Sequence, residues 1–193
     1  MADKTGYIGR NPGDSSVIIA KQYYTAVGIE TSSSAGTVGV TTTKITGIST
    51  TAVNVGDLID NQHYIAGTKV ATIGIGSVFA DRDSTNTASA SGQIVKFLAP
   101  TEIYASPGGT KSIIIGGTFA NNTNNQVNLT VSVWDNSAAV ESSIAQKIPV
   151  PSGSSFVISD TGKTLLEEND IVKVYCDTAN AIDVNLSILT GVS

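Results

Sequence analysis

The sequence predicts an all-β protein, and three observations lead to that prediction. Only 14% of the 193 residues are charged, against about 25% in a typical soluble domain, while glycine occurs 19 times. The residue types that favour long helices do not dominate the composition. Short runs of β-branched and aromatic residues alternate with turns rich in Gly, Asn, Asp and Ser, which is the pattern of strands joined by tight turns.

Residues 1–30 predict an extended N-terminal segment. The stretch Asn11-Pro12-Gly13-Asp14 favours a turn, because proline fixes φ and glycine permits a positive φ. The β-branched and aromatic run from Val17 to Tyr24 then predicts a strand. The Ser-, Gly- and Thr-rich stretch from Thr31 to Thr43 predicts a loop or a loosely held hairpin.

Residues 31–99 predict a small β-module rich in glycine and threonine. Its strand signals are short and separated by Gly and Asn turns, such as the turn at Gly67. Because this stretch contains few aromatic residues, we expect its core to be thin.

Residues 100–193 predict an antiparallel β-sandwich of about eight strands. Apolar residues alternate with polar ones from Val127 to Val133, which indicates a half-buried strand. The pair Gly116-Gly117 would let a strand bend or bulge, and Pro149 favours an edge strand. Residues 137–147 have some helical spacing, but their neighbours favour a hairpin. The topology is Ig-like or jelly-roll-like, and the sequence does not choose between them.

The charge balance and the rare residue types exclude several functions. With 11 basic against 16 acidic residues, the chain has no basic field for a nucleic acid. No apolar run is long enough to span a membrane as a helix. A single cysteine and a single histidine give neither an intrachain disulfide nor a cysteine-based zinc site. We therefore expect no metal, no cofactor, no nucleic acid and no membrane, and the start of the chain lacks a standard secretion signal.

For the remaining residues that could bind a metal or take part in catalysis, we expect structural roles. We expect His63 to be a surface or hydrogen-bonded histidine, and Cys176 to be a buried, inert thiol within a strand. Asp81, Asp83 and Asn86 resemble part of a calcium loop, but the glycine that this loop requires is missing, which favours a solvated turn. Residues 167–170 predict a charged turn.

Aromatic residues offer the one alternative with a ligand. Trp134 and the pair Tyr23-Tyr24 could stack on sugar rings, although a single Trp that ends a core strand more often serves packing or a subunit contact. Glycoside hydrolysis requires two opposed carboxylates, and nothing in the sequence places such a pair in a cleft. We therefore predict no enzymatic activity and no catalytic residues.

One N-terminal motif resembles a known class of proteins. The run from Gly9 to Val17 resembles the Gly-Arg-x-Pro-Gly-Asp-Ser-Ser-Val opening of virion structural and tail-fibre-like proteins of tailed phages, notably cyanophages. Residues 65–74 are similar to Gly/Thr-rich β-modules of phage appendages, and residues 101–193 resemble small β-sandwich domains of phage structural proteins.

The resemblance implies a virion component that is made in the host cytoplasm and assembles through protein–protein contacts, as a homo-oligomer and with other virion proteins. The expected role is a tail-, neck- or baseplate-associated adaptor or a short fibre component. We expect residues 4–24 to dock onto another virion protein by adding a strand to its sheet. The residues expected at this contact are Tyr7, Ile8, Arg10, Val17, Ile19 and Tyr23.

Two alternatives stay open. A head decoration protein on the capsid lattice would occur in hundreds of copies per particle, whereas a tail component would occur in a few to tens. A carbohydrate-binding adhesin module would bind a glycan of the host surface, and Trp134 is the residue through which we would test it.

Overall fold

A computed structural model describes residues 4–8, 18–27, 29–159 and 163–192, with side chains for residues 34–159 and 163–191. As predicted, this part of the chain is built from β-strands alone. It contains no helix that is long and apolar enough to cross a membrane. The chain divides into two compact units. Residues 28–100 and 175–179 form one unit, and residues 1–27, 101–174 and 180–193 form the other.

Sixteen strands follow one another along the described residues. They are β1 (Lys4–Ile8), β2 (Ile18–Val27), β3 (Ile29–Val38), β4 (Lys44–Thr46), β5 (Leu58–Asp60), β6 (Val70–Gly74), β7 (Ser77–Ala80), β8 (Ala90–Ala99), β9 (Thr101–Ala105), β10 (Lys111–Asn121), β11 (Val127–Asp135), β12 (Val140–Val150), β13 (Ser155–Ile158), β14 (Thr164–Leu166), β15 (Ile171–Cys176) and β16 (Ile182–Val192).

The second unit is a β-sandwich, as the sequence predicted for its C-terminal part. One sheet has the order β1-β2-β16-β10-β13, with β14 also on β10, and the other has the order β12-β11-β15-β9. Strand β14 pairs with residues 112–114 of β10, and β13 pairs with residues 117–120. The two short strands therefore act as one interrupted edge strand.

The strand order is that of a jelly roll. Without β1, the sheets read β2-β16-β10-β13/β14 and β9-β15-β11-β12, so that the first strand pairs with the last and two Greek keys interlock. In an immunoglobulin domain the last two strands share a sheet, whereas β15 and β16 lie in different sheets here. Of the two topologies that the sequence left open, the structure adopts the jelly roll.

The sandwich core confirms the apolar positions of β11 but not the half-burial that their alternation predicted. Val127, Leu129, Val131 and Val133 are buried, and Thr130 and Ser132 between them are buried as well. Phe119, Leu186 and Ile188 are buried on the other sheet. The pairing of β10 with β16 shifts register between Ile114 and Gly116, as the two glycines predicted. A Cβ on Gly117 would lie 2.7 Å from Leu186 Cδ2, so glycine permits the close packing at this bulge.

The edge and hairpin predictions for this unit are also confirmed. Strands β11 and β12 form an antiparallel hairpin, and β12 lies at the edge of its sheet. Pro149 sits in this edge strand, where a missing amide hydrogen costs little.

The first unit is a small barrel. Its six strands follow the order β5-β8-β3-β4-β7-β6, with antiparallel pairing throughout. The two outer strands are joined by backbone hydrogen bonds from Gly56 N to Val70 O at 2.8 Å, from Val70 N to Asp57 O at 2.9 Å, and from Ile59 N to Thr68 O at 2.9 Å. These bonds connect β5 and the residues before it to the start of β6, and they close the sheet at that point.

The core of the barrel is fuller than the sequence predicted. The buried cluster consists largely of aliphatic side chains: Val38, Ile45, Ile48, Val53, Ile59, Tyr64, Val70, Val78, Ala80, Val95 and Phe97. We expected a thin core because aromatic residues are few. β-branched residues from nearly every strand fill the interior instead.

The loop or loose hairpin that was predicted for residues 31–43 is wrong for most of that stretch. Residues up to Val38 belong to β3, which pairs with both β8 and β4 inside the barrel sheet. A Cβ on Gly36 would overlap Ile48 Cγ2, so the small residue lets the neighbouring side chain fill the interior. Tertiary pairing, which local composition does not report, therefore decides the conformation here.

Candidate functional site

Three of the four sheet edges that the described sandwich strands present carry features that oppose strand addition. Edge strand β12 contains Pro149 and is irregular in its pairing with β11. The opposite edge is interrupted between β13 and β14. Strand β9 has five residues and stands between Pro100 and Pro107. Prolines, short strands and irregularities are the usual means of protecting an edge.

The fourth edge, β1, is as short as β9, but it contains no proline and its pairing has no irregularity or interruption. Its five residues pair in unbroken register with β2, from Lys4 opposite Tyr23 to Ile8 opposite Ile19. No described strand pairs with its other side. The segment has no proline, and Lys4 is its one charged residue. A row of backbone donors and acceptors along β1 is therefore open to a partner strand.

The structure places four of the six predicted docking residues in this part of the sheet. Tyr7 and Ile8 belong to β1, and Ile19 and Tyr23 belong to β2. Arg10 and Val17 lie outside the described residues. Strand β2 pairs with β1 on one side and with β16 on the other, so its backbone is part of the jelly roll. Within residues 4–24, the segment that was predicted to dock, β1 is the strand with an open edge.

A second candidate is an open groove of about 440 Å³ on the barrel. It lies where β5 ends at Asp60 while β8 continues, so the wall of the barrel is incomplete beside Gln93 and Ile94. Asp60 is paired in register with Lys96, which places one acidic and one basic residue at the same end of the groove. The Ile94 side chain is 58% exposed.

Amide side chains in the groove hold one another in place. Asn61 is buried, donates from Nδ2 to the carbonyl of Ile94 at 2.8 Å and accepts at Oδ1 from the amide of His63 at 2.9 Å. Gln62 Nε2 donates to Gln93 Oε1 at 2.8 Å. No local sequence pattern indicates this groove, because its residues come from the end of β5, the turn after it, and β8 about 30 positions later.

His63 is hydrogen-bonded, as predicted. Its backbone amide is held by Asn61, and its carbonyl accepts from both the amide and the hydroxyl of Thr85. The ring Nε2 lies 3.4 Å from Gln62 Nε2. The histidine thus helps to fix the turn that bounds the groove.

Two of the three residues that resemble a calcium loop, Asp81 and Asn86, are engaged in separate contacts. Asp81 Oδ1 accepts from the amide of Lys69 at 2.9 Å. Asn86 is buried and donates to the carbonyls of Val38 and Ala88. The described residues contain no group of three or more His, Cys, Asp or Glu side chains placed to hold a metal ion.

Trp134 takes part in a polar network on the jelly roll. Lys173 Nζ lies 5.1 Å from the centre of the indole ring, and the same ammonium lies 3.8 Å from Glu141 Oε2. Ser132 Oγ donates to Glu141 Oε1 at 2.6 Å. One face of the ring is thus covered by a cation, which favours the packing role that we preferred for this residue over sugar stacking.

Cys176 is fully buried in β15, as predicted. Burial raises the pKa of its thiol to about 11, so the thiol stays protonated at neutral pH and is a poor nucleophile. Burial also raises the pKa of Tyr64 to about 12, with a smaller contribution from Asp83. The Tyr64 hydroxyl donates to the carbonyl of Thr42 at 3.2 Å.

Asp170, in the charged turn, is a buried carboxylate that the sequence analysis did not identify. It is only 4% exposed, and its carboxylate accepts from the amides of Glu167 at 2.8 Å and Asn136 at 3.0 Å. The predicted charged turn is present, but Asp170 is buried within it, because backbone amides replace water around the carboxylate. The same hydrogen bond occurs in the barrel, where the carboxylate of Asp57 accepts from the amide of Asn54, three residues earlier. An aspartate as the fourth residue of a turn is therefore the sequence feature that could have indicated this role.

Comparisons with known proteins add little to this description. A scan against protein-family models gives no match, and no curated protein matches the sequence. Among solved structures, the chain matches an isomalto-dextranase of Arthrobacter globiformis T6 in complex with panose, with 12% identity and a TM-score of 0.21. The match covers 90% of this chain and 34% of the other, so the chain spans about a third of that protein. A TM-score of this size does not indicate a shared fold.

Proposed function

We propose that this chain is a structural protein of a tailed-phage particle, a tail-, neck- or baseplate-associated adaptor that attaches to a neighbouring subunit through β1. The observation that supports the proposal is the contrast between the sheet edges. Two edges contain a proline or an interruption and β9 is flanked by prolines and pairs irregularly with β15, whereas β1 offers a continuous, proline-free edge in unbroken register. Protecting an edge is the general way to avoid association, so an unprotected one points to a partner.

The sequence motif adds the class of partner. The phage-like opening from Gly9 to Val17 stands directly between β1 and β2 in the chain. A jelly roll is also a frequent architecture of viral structural proteins. Because one fold serves many functions, this last argument supports the proposal by analogy only.

Deleting residues 2–8 tests the proposal. The deletion removes β1 but leaves β2, which pairs with β16 along most of its length. A deletion of residues 1–24 would also take most of β2 and would confuse attachment with folding. We expect the shorter variant to keep its circular dichroism spectrum and to be absent from purified particles. Equal occupancy of wild type and variant, or particles that lack the wild-type chain in mass spectrometry, would refute the proposal.

A further inference from the structure

We propose that the groove on the barrel binds a neutral saccharide. This site is separate from β1 and goes beyond the structural role proposed above. Its volume of about 440 Å³ lies in the range of small-molecule sites, which is about 300–1,000 Å³. It opens to solvent between the end of β5 and the first half of β8, both within the barrel.

The polar groups in the groove match hydroxyl groups. Gln62 uses its amide nitrogen to hold Gln93 Oε1, which directs the two side chains together. This leaves Gln62 Oε1 as an acceptor beside Gln93 Nε2, which is a donor. Gln93 Nε2 has only a long contact of 3.4 Å to the Ser91 carbonyl. An adjacent acceptor and donor suit two neighbouring hydroxyls of a sugar ring, since each hydroxyl can donate and accept.

The Asn61 amide is fixed before any ligand arrives, because it is buried and is held by the Ile94 carbonyl and the His63 amide. The Gln62–Gln93 bond lies at the surface and brings the two glutamine side chains together there. Contact with Asn61 therefore adds little side-chain entropy cost to binding.

Charge and apolar surface favour a neutral ligand with a carbon face. Asp60 and Lys96 oppose each other across the two strands, so the groove has no excess of either sign. The Lys96 ammonium also donates to the carbonyl of Asp177 at 3.1 Å. Ile94, at 58% exposure, offers aliphatic surface to the C–H groups of a ring. A phosphate or carboxylate ligand has no dedicated cation here.

The test uses the full chain on a printed array of neutral oligosaccharides, followed by titration of the best one. Gln93→Glu replaces the donor with an acceptor of equal size, and we expect affinity to fall at least about tenfold. Gln146→Glu on β12 introduces the same charge on the other unit and should bind like the wild type. Unfolding temperatures of the variants verify that each is folded.

A second measurement needs no variant. In the wild type, the side-chain amide resonances of Asn61, Gln62 and Gln93 should shift together on titration with the same oligosaccharide, while that of Gln146 should not. The proposal is overturned if no neutral oligosaccharide binds, or if these amides do not respond. It is equally overturned if Trp134→Ala abolishes binding while Gln93→Glu leaves it unchanged. Loss of particle incorporation on deletion of β1 would not bear on either result.

Discussion

The buried carboxylate of Asp170 accepts a hydrogen bond of 3.0 Å from the backbone amide of Asn136, which lies 34 positions earlier in the chain. The same carboxylate holds the amide of Glu167 at 2.8 Å. The backbone of Asp170 in turn accepts from the amide of Ser106. Three connections of the jelly roll, β9–β10, β11–β12 and β14–β15, therefore meet at one residue.

Replacing Asp170 should destabilise the jelly roll. In Asp170→Ala two backbone amides lose their acceptor, and a buried donor without a partner costs about 1–3 kcal/mol. We expect a loss of this order in the free energy of unfolding, measured by urea titration with Trp134 fluorescence. Glu102→Ala, which removes an exposed acid on β9 of the same unit, should stay within about 0.5 kcal/mol of the wild type. Equal effects of the two substitutions would contradict the role of Asp170.

The turn that contains Asp170 repeats in the barrel. Asn54 and Asp57 bond as Glu167 and Asp170 do, through a backbone amide to the Asp carboxylate and a backbone contact in the reverse direction. The third residue of each turn has a positive φ, +92° at Gly56 and +63° at Asn169, as turns of type II require. Gly and Asn are the two residues that adopt this conformation most readily.

Gly36 offers a test of packing in the barrel. A Cβ at this position would overlap Ile48 Cγ2 and lie 3.0 Å from the carbonyl of Thr46. Gly36→Ala should therefore lower the free energy of unfolding by about 1–3 kcal/mol, the usual cost of overpacking. Denaturation followed by circular dichroism measures the loss.

The partner substitution makes the test specific. Ile48→Ala removes the obstructing methyl group, so the double variant should lose less stability than the sum of the two single variants. Gly108→Ala is the control, since its nearest contact would be an ordinary 3.6 Å to Asn169 Oδ1. Strict additivity of Gly36→Ala and Ile48→Ala would show that the contact does not exist.

Much of this fold follows from local sequence, and the reasons for the exceptions are physical. The strands of the sandwich were predictable because β11 alternates in polarity and because Gly116, Gly117 and Pro149 have positional meaning in sheets. Strand β3 was not, because its composition resembles that of a loop, and the space that Gly36 leaves for Ile48 becomes visible only in the folded barrel. Closure of the barrel depends on pairing between β5 and the start of β6, which no local pattern reveals.

The candidate sites divide in the same way. Strand β2 was predicted from its own residues, whereas β1 lies in a stretch that was predicted only as an extended segment. That β1 is the unprotected edge follows only from where the other edges lie. The groove exists because β5 ends before β8 does, and Asp170 is buried because distant amides surround it. Features that depend on pairing between distant residues cannot be predicted from the pattern of neighbouring residues in the sequence.

Stability should fall at alkaline pH through Cys176. Burial raises the pKa of its thiol from 9.0 to about 11, so between these values the unfolded chain releases a proton that the folded chain retains. The folded state binds more protons there, and the free energy of unfolding must decrease as pH rises. We expect the decrease to begin near pH 9, and urea titrations between pH 8 and 10 measure it.

The control for this pH dependence is Cys176→Ala, which should flatten the curve in that interval even if its stability at pH 7 is lower. Tyr64, whose pKa rises to about 12, contributes a loss that begins one unit higher. The native thiol should also react with a disulfide reagent far more slowly than the unfolded chain. An unchanged pH curve in Cys176→Ala, or rapid labelling of the native protein, would contradict the assignment.

Adjacent proline substitutions in β1 separate its two hydrogen-bonding sides. In an antiparallel strand, consecutive amide groups point alternately to one neighbour and to the other. Of Thr5→Pro and Gly6→Pro, one therefore removes a bond to β2 and the other removes a donor that faces away from the sheet.

The variant that loses a bond to β2 should have a lower unfolding temperature. The other should keep the wild-type temperature, because its outward-facing amide pairs with no described strand, and it should still fail to enter particles if a partner strand binds there. Particle occupancy and unfolding temperature would then vary independently across two neighbouring residues, which a general loss of stability cannot produce. Wild-type occupancy of the thermally unperturbed variant would show that backbone pairing along β1 is not the means of attachment.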